Sequence, residues 1–234
     1  MTPKIIAHRG ANANAPENTM AAFQLAMDQG ADGFELDVRL SEDGQVVVIH
    51  DDTVDRTTNG SGRVREMSLK QLQSLDAGGG ERIPALAEVL AQFGGKGLIN
   101  IELKNFSSIF DDLPHKVAEM IIHYKLVDSV IVSSFNPINF HRIRRLLPDV
   151  TIGLLTPPHQ AKLWLWQLFK YDALHPHFSD VDEALVAAVH VRDRQVNVWT
   201  VDEVDEITRL ATLNVDSIIT NQPVRAREAL EAGW

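Results

Sequence analysis

Eight short runs rich in β-branched residues recur along this chain, separated by amphipathic segments, and that rhythm restricts the fold more than any other feature. The runs are KIIAH (4–8), GFELDV (33–38), LINIELK (98–104), SVIVSS (129–134), VTIGLLT (150–156), ALHPHF (173–178), VNVWTV (196–201) and DSIIT (216–220). Such short apolar runs are what strands of a parallel sheet look like when both faces are buried. The intervening segments open on a polar residue or proline and carry an apolar stripe. Asn18 is the expected cap of NTMAAFQLAMDQG and Pro84 opens PALAEVLAQFGG; PINFHRIRRLLP, DEALVAAVHVRDR, DEITRLATL and VRAREALEA follow the same pattern. Eight strand–helix units predict an α/β fold, a (β/α)8 TIM barrel, with an open doubly wound sheet as the alternative. The 234 residues suffice for one such barrel, and no linker or repeat interrupts them, so a single domain spanning 1–234 is expected.

One stretch, about 39–82, departs from the rhythm. There FELDVRL and QVVVIHD are joined by a very short polar turn containing Asp43 and Gly44. A connection that short cannot cross over to a parallel neighbour, so the second arm must fold back antiparallel as a hairpin. If the turn centres near Glu42–Gly44, opposed residues have numbers summing to about 86 or 87, which sets His50 opposite Leu36 or Asp37. The following residues up to 82 are rich in turn formers and are expected to form an insertion over the barrel mouth.

Composition narrows the partners. Lys and Arg total 22 against 32 Asp and Glu, a formal charge of −10, which argues against nucleic acid and against a polybasic membrane anchor. The chain has no cysteine, so disulfides, thiolate catalysis and zinc–thiolate sites are excluded. No apolar signal core and no long uncharged apolar run is present, so a cytoplasmic protein without stable membrane insertion is expected.

In barrels of this kind reactive side chains gather at the C-terminal ends of strands. Those ends offer His8 and Arg9, Glu35 and Asp37, Glu102 and Lys104, Phe135, Trp199 and Asn221. Glu35 and Asp37 are two apart and so share a face, as do Glu102 and Lys104. Three carboxylates meeting at one mouth would repel each other and resist ionisation, and one divalent cation removes that conflict. All-oxygen ligands favour Mg²⁺ or Ca²⁺, with Mn²⁺ as a third option. The other reading makes these acids structural ion-pair partners of Arg9 and Lys104. His8 and His50 read as a general acid and base, and Arg9 and Lys104 as neutralisers of an anionic group, an arrangement suited to phosphoryl chemistry.

The segments AHRG, PENT, ELDV, VIHD, DRTTNGSG, ERIPAL, IELK and VNVWTVD occur here in the order found in glycerophosphodiester phosphodiesterases, which the chain resembles from residue 5 to about 223. The resemblance implies a distorted barrel like that of phosphatidylinositol-specific phospholipase C, with residues 51–82 as its characteristic insertion. It implies metal-dependent hydrolysis of diesters such as glycerophosphocholine and glycerophosphoethanolamine to an alcohol and sn-glycerol 3-phosphate. His8 and His50 match its catalytic pair, Glu35, Asp37 and Glu102 its metal ligands, and Arg9 and Lys104 its phosphate contacts. Glu17 of PENT matches a motif acid that orients the site, or else simply stabilises a helix N-terminus. Which histidine is the base, and whether water or a glycerol hydroxyl attacks first, stay open. The last strand ends TNQP, where the family commonly has aspartate in place of Asn221, a change expected to touch none of the proposed site groups.

Weaker signals remain. Trp199 is placed either as a wall against the glycerol part of the substrate or as core, and Phe135 as a further substrate contact. His175 and His177 alternate on one strand, and either is a candidate to line the pocket. The run LWLWQLF (163–169) is read as a helix packed deeply on the outer ring. Its alternatives are a homo-oligomer contact or a lip for lipid-like substrates, the latter giving a lysophospholipase D as the competing activity.

Overall fold

The computed structural model describes residues 2–105 and 110–232. Eight parallel strands close into a barrel: β1 (Lys4–Ala7), β2 (Gly33–Leu40), β4 (Leu98–Leu103), β5 (Val130–Ser134), β6 (Thr151–Thr156), β7 (Ala173–Pro176), β8 (Gln195–Val198) and β9 (Ser217–Thr220). β1 pairs with both β2 and β9, which seals the ring. The ninth strand, β3 (Val46–Val48), lies outside it, antiparallel to β2. Val38 opposes Val48 and Leu40 opposes Val46, the lower of the two expected registers.

Alternation along each strand separates two environments. Phe34 of β2 points outward and packs with Phe23 of α1 (Met20–Asp28) and Phe93 of α3 (Leu86–Phe93), ring centroids 4.4–6.2 Å apart. Its neighbours Glu35 and Asp37 are buried on the other face, toward the barrel interior. Helices α4 (Leu113–Tyr124), α5 (Ile138–Arg144), α6 (Glu183–His190), α7 (Val204–Thr212) and α8 (Pro223–Ala232) complete the outer ring.

Two local expectations change. Thr19, not Asn18, caps α1: its side chain accepts from the Ala22 N–H while Asn18 adopts φ 58° and turns inward. The 163–169 run is not an α-helix, because Trp164–Leu168 form a 3-10 turn between β6 and β7. Trp166 and Phe169 pack against the core, but Trp164 is 74% and Leu168 69% exposed, so deep packing describes only half the segment.

Between β3 and β4 the chain forms a short helix, α2 (Leu69–Leu72), and a second apolar cluster built on Val47, Ile49, Val54, Val64 and Leu72. The segment returns to the sheet where the Val48 N–H donates to Pro84 O at 2.9 Å.

The seam between β2 and β4 is so close that Gly33 has no room for a side chain: a Cβ there would meet Leu98 O at 1.9 Å. Gly33→Ala is therefore expected to destabilise the protein by about 3 kcal/mol, the upper end for overpacking, because the obstacle is strand backbone. A denaturant midpoint within error of the parent protein would refute this.

Candidate active site

The neighbouring strands β2 and β4 bring Glu35, Asp37 and Glu102 together, each with a carboxylate oxygen within 4.8 Å of the others. All three are buried. Asp37 is well supplied with partners: Arg9 Nε at 3.2 Å, Lys104 Nζ at 3.7 Å and an N–H donated by Asn18 Nδ2 at 2.9 Å. Burial opposes its charge, but Lys104 and Arg9 outweigh that and hold its pKa below the usual aspartate value. Glu102 pairs with Lys104 Nζ at 2.7 Å, yet burial beside Asp37 still pushes it up to about 7. Glu35 accepts only the Arg9 backbone N–H, at 2.9 Å. Its Oε1 is buried with no partner, and burial next to Asp37 and Glu102 raises its pKa far above the glutamate norm.

These contacts bear on both sequence readings of the acids. Arg9 and Lys104 do form ion pairs, but with Glu17, Asp37 and Glu102, and among the described residues Glu35 has none within 4.0 Å, feeling the Arg9 charge only from farther away. Three clustered carboxylates with one orphaned buried oxygen, and oxygen donors only, fit a hard divalent cation.

Both histidines reach this mouth, each oriented from behind. His50 Nδ1 lies 2.6 Å from Asp51 Oδ1, so Nδ1 carries the proton and Nε2 faces Lys104 Nζ at 3.1 Å. His8 Nδ1 lies 2.7 Å from Asn221 Oδ1. The amide orientation is set by Asp202, whose Oδ2 accepts from Asn221 Nδ2 at 2.6 Å and whose Oδ1 accepts the Asn221 N–H at 2.8 Å. Asn221 thus accepts from His8 and leaves its Nε2 free of the proton. The expectation that Asn221 touches no site group is wrong: it is the residue that holds His8. Burial lowers the pKa of both histidines, with Arg9 adding to this at His8 and Asp37 opposing it at His50.

Glu17 does not serve a helix dipole. It accepts from Arg9 Nη1 at 2.9 Å and from both terminal nitrogens of Arg56 at 2.8 Å. Arg56 Nε also donates to Asp51 Oδ2 at 2.7 Å, so a chain of contacts links the loop after β1 to the one carrying His50. Trp199 Nε1 donates to His175 O at 2.8 Å, and its ring meets Phe135 edge-on, centroids 5.6 Å apart. Lys104 Nζ lies 5.8 Å from the Phe135 ring. His177 also stands against Trp199, at 5.4 Å, whereas His175 is wholly buried in the barrel interior and does not face the mouth. A cavity of about 720 Å³ opens from Glu102 and Lys104 past Phe135 and Pro157 to Trp166.

His175 has a consequence for stability. Burial depresses it from 6.5 to about 3, so the native protein keeps it neutral where the unfolded chain protonates it. Its contribution is complete above pH 6.5 and is lost as pH falls toward about 3, by about 1.4 kcal/mol per pH unit. Between pH 7 and pH 5 the parent protein is therefore expected to lose about 2 kcal/mol more than His175→Gln, measured by denaturant unfolding. Equal losses in the two proteins would show that His175 does not carry this dependence.

Sequence reasoning missed four supporting residues. Asn18 stands in a plausible capping position, Asp51 and Arg56 in a turn-rich stretch, and Asp202 after a strand; none shows its partner until the loops are folded. Asp51 directly follows His50, and that adjacency was the one available clue.

Residues 8–225 match the model of the Glycerophosphoryl diester phosphodiesterase family, which is nearly the whole chain. The chain belongs to that family. A glycerophosphodiester phosphodiesterase of Caldanaerobacter subterraneus is 40% identical over 95% of this chain and 96% of its own, and one of Bacillus altitudinis is 38% identical with the same coverage. Among solved structures, a phosphodiesterase of Oleispira antarctica in complex with the product sn-glycerol-3-phosphate superposes with a TM-score of 0.88 at 30% identity, covering 98% of this chain and 97% of that one. A glycerophosphodiester phosphodiesterase of Agrobacterium tumefaciens gives 0.85 at 32% identity, covering 97% and 99%. Family membership and a closed parallel barrel are both as the sequence led us to expect, the missing helix between β6 and β7 being the main departure. Among the described residues no helix is long and apolar enough to cross a membrane.

Proposed function

We propose that the chain hydrolyses glycerophosphodiesters, releasing an alcohol and sn-glycerol 3-phosphate, with one divalent cation held by Glu35, Asp37 and Glu102. The observation that carries this reading is the Glu35 carboxylate with its unpartnered buried oxygen, beside two histidines whose Nδ1 atoms are both held, which leaves each Nε2 for proton transfer. When bound, Mg²⁺, Ca²⁺ or Mn²⁺ supplies the positive charge the triad lacks and polarises a phosphate oxygen. The chain's own groups do the rest. Arg9 and Lys104 neutralise the phosphate, as positioned cations do in phosphoryl transfer. One histidine takes a proton from the attacking hydroxyl at Nε2, and the other, entering protonated, gives one to the departing alkoxide. Phe135 and Trp199 form an aromatic wall for the organic part of the diester. The Glu17–Arg56–Asp51 contacts keep His50 aimed while Asn221 and Asp202 keep His8 aimed.

The assay is incubation with glycerophosphocholine and detection of choline and glycerol 3-phosphate. Choline phosphate plus glycerol as products, or no turnover in the presence of Mg²⁺, Ca²⁺ or Mn²⁺, would overturn the assignment. A second reading, a lysophospholipase D, draws on the exposed Trp164 and Leu168 beside Trp166 in the cavity wall. Faster turnover of lysophosphatidylcholine than of glycerophosphocholine favours it, and no turnover of the lysolipid removes it.

A further inference from the structure

Arg39 follows Asp37 by two residues on β2 and was not singled out by the sequence. Its guanidinium is held by two carbonyls of the site: Nε donates to His50 O and Nη1 to Lys104 O, both at 2.9 Å. Both acceptors are neutral. Among the described residues no carboxylate oxygen lies within 4.0 Å of it, and the acids that act on its charge, Asp52 foremost, do so from farther away. It stands between two cavities: the one of about 720 Å³ over Glu102, and another of about 260 Å³ under the inserted segment. Arg39, Asp52 and Lys104 line both.

The smaller cavity is cationic. Arg63 and Arg65 of the insertion join Arg39 and Lys104 in its wall, against the carboxylates of Asp52 and Asp111. Asp111 Oδ1 is occupied by Asn105 Nδ2 and the Leu113 N–H. Arg65 approaches Glu66 only at 3.9 Å on the exposed surface. A guanidinium already fixed in place offers its remaining N–H groups to a phosphate or carboxylate at little further cost in side-chain entropy.

Resting on the phosphodiesterase reading above, we propose that this second cavity is an anion subsite, which takes a phosphate or carboxylate borne by one of the diester's two alcohols. Arg39 bridges it to the reacting phosphate, and Arg63 and Arg65 complete it from the insertion. Substrates with a second anionic group are thereby preferred over neutral or cationic ones.

The test uses two ligands that differ by one phosphate: glycerophosphoglycerol, and the same molecule phosphorylated on the far glycerol. Calorimetric binding to the EDTA-treated protein at physiological salt reads the subsite without turnover, and kcat/KM with a divalent cation reads it during the reaction. The phosphorylated ligand is expected to bind at least about tenfold more tightly, the effect of one or two charge-assisted contacts. In Arg63→Gln/Arg65→Gln that advantage is expected to fall below about threefold. Arg39→Gln should remove it as well, while also slowing both substrates through the carbonyls of His50 and Lys104. Equal binding of the two ligands by the parent protein, or an advantage that survives the double substitution, overturns the subsite. Preferential binding without hydrolysis of either ligand would instead sustain the subsite and refute the phosphodiesterase reading.

Discussion

His8→Ala is expected to lower kcat for glycerophosphocholine by about 10²–10⁴-fold with a much smaller change in KM, because the loss falls on proton transfer and not on binding. The geometry makes His8 a demanding test. Its Nδ1 is committed to Asn221, which is committed in turn to Asp202, so the imidazole has one free nitrogen and one orientation. The variant removes that nitrogen and leaves the carboxylate triad in place, so cation binding should persist. Thermal melting with and without Mg²⁺ checks that the protein is folded and still binds metal. An activity within about tenfold of the parent protein would exclude His8 from the acid–base pair.

Removing the cation should be as severe, and it makes an unusual prediction about stability. In EDTA, activity is expected to vanish and to return on addition of Mg²⁺, Ca²⁺ or Mn²⁺. In the metal-free protein Glu35 is a buried acid whose burial and neighbours Asp37 and Glu102 outweigh the help it gets from Arg9, which is a cost to the fold. Glu35→Gln removes that acid at nearly constant volume. The variant should therefore melt at a higher temperature than the parent in EDTA, yet be inactive with any cation. Cation at 100 times its Kd should stabilise the parent by about 2.7 kcal/mol through binding linkage, and the variant by much less. A cation-induced shift of equal size in both proteins would place the metal elsewhere.

Much of this was legible in the chain. Period-2 alternation in GFELDV and LINIELK, with acids on one face and Phe34 or Ile101 on the other, already fixes which side chains face inward. The two-arm hairpin gave the register of His50 within one residue, since a short turn leaves no slack. The supporting residues were not legible, because their partners are distant in sequence. Asn221 is 213 residues from His8, and Glu17 is 39 from Arg56. A capping-type asparagine and a buried one that fixes an aspartate look alike in a sequence, and for Asn18 capping is the commoner use. The 163–169 run shows a further limit: apolar content signals burial, but its Trp164 and Leu168 face solvent.

The sequence by itself determined the barrel, the inward faces and the two histidines with their three acids, because these follow from local periodicity and from residue chemistry. Only the tertiary structure decided how charge is distributed among them. Whether a carboxylate is neutralised depends on which cations fold against it. Here Arg9 and Lys104 pair with Asp37 and Glu102, Glu35 accepts only a backbone N–H, and Arg39 is held by two carbonyls where two cavities meet.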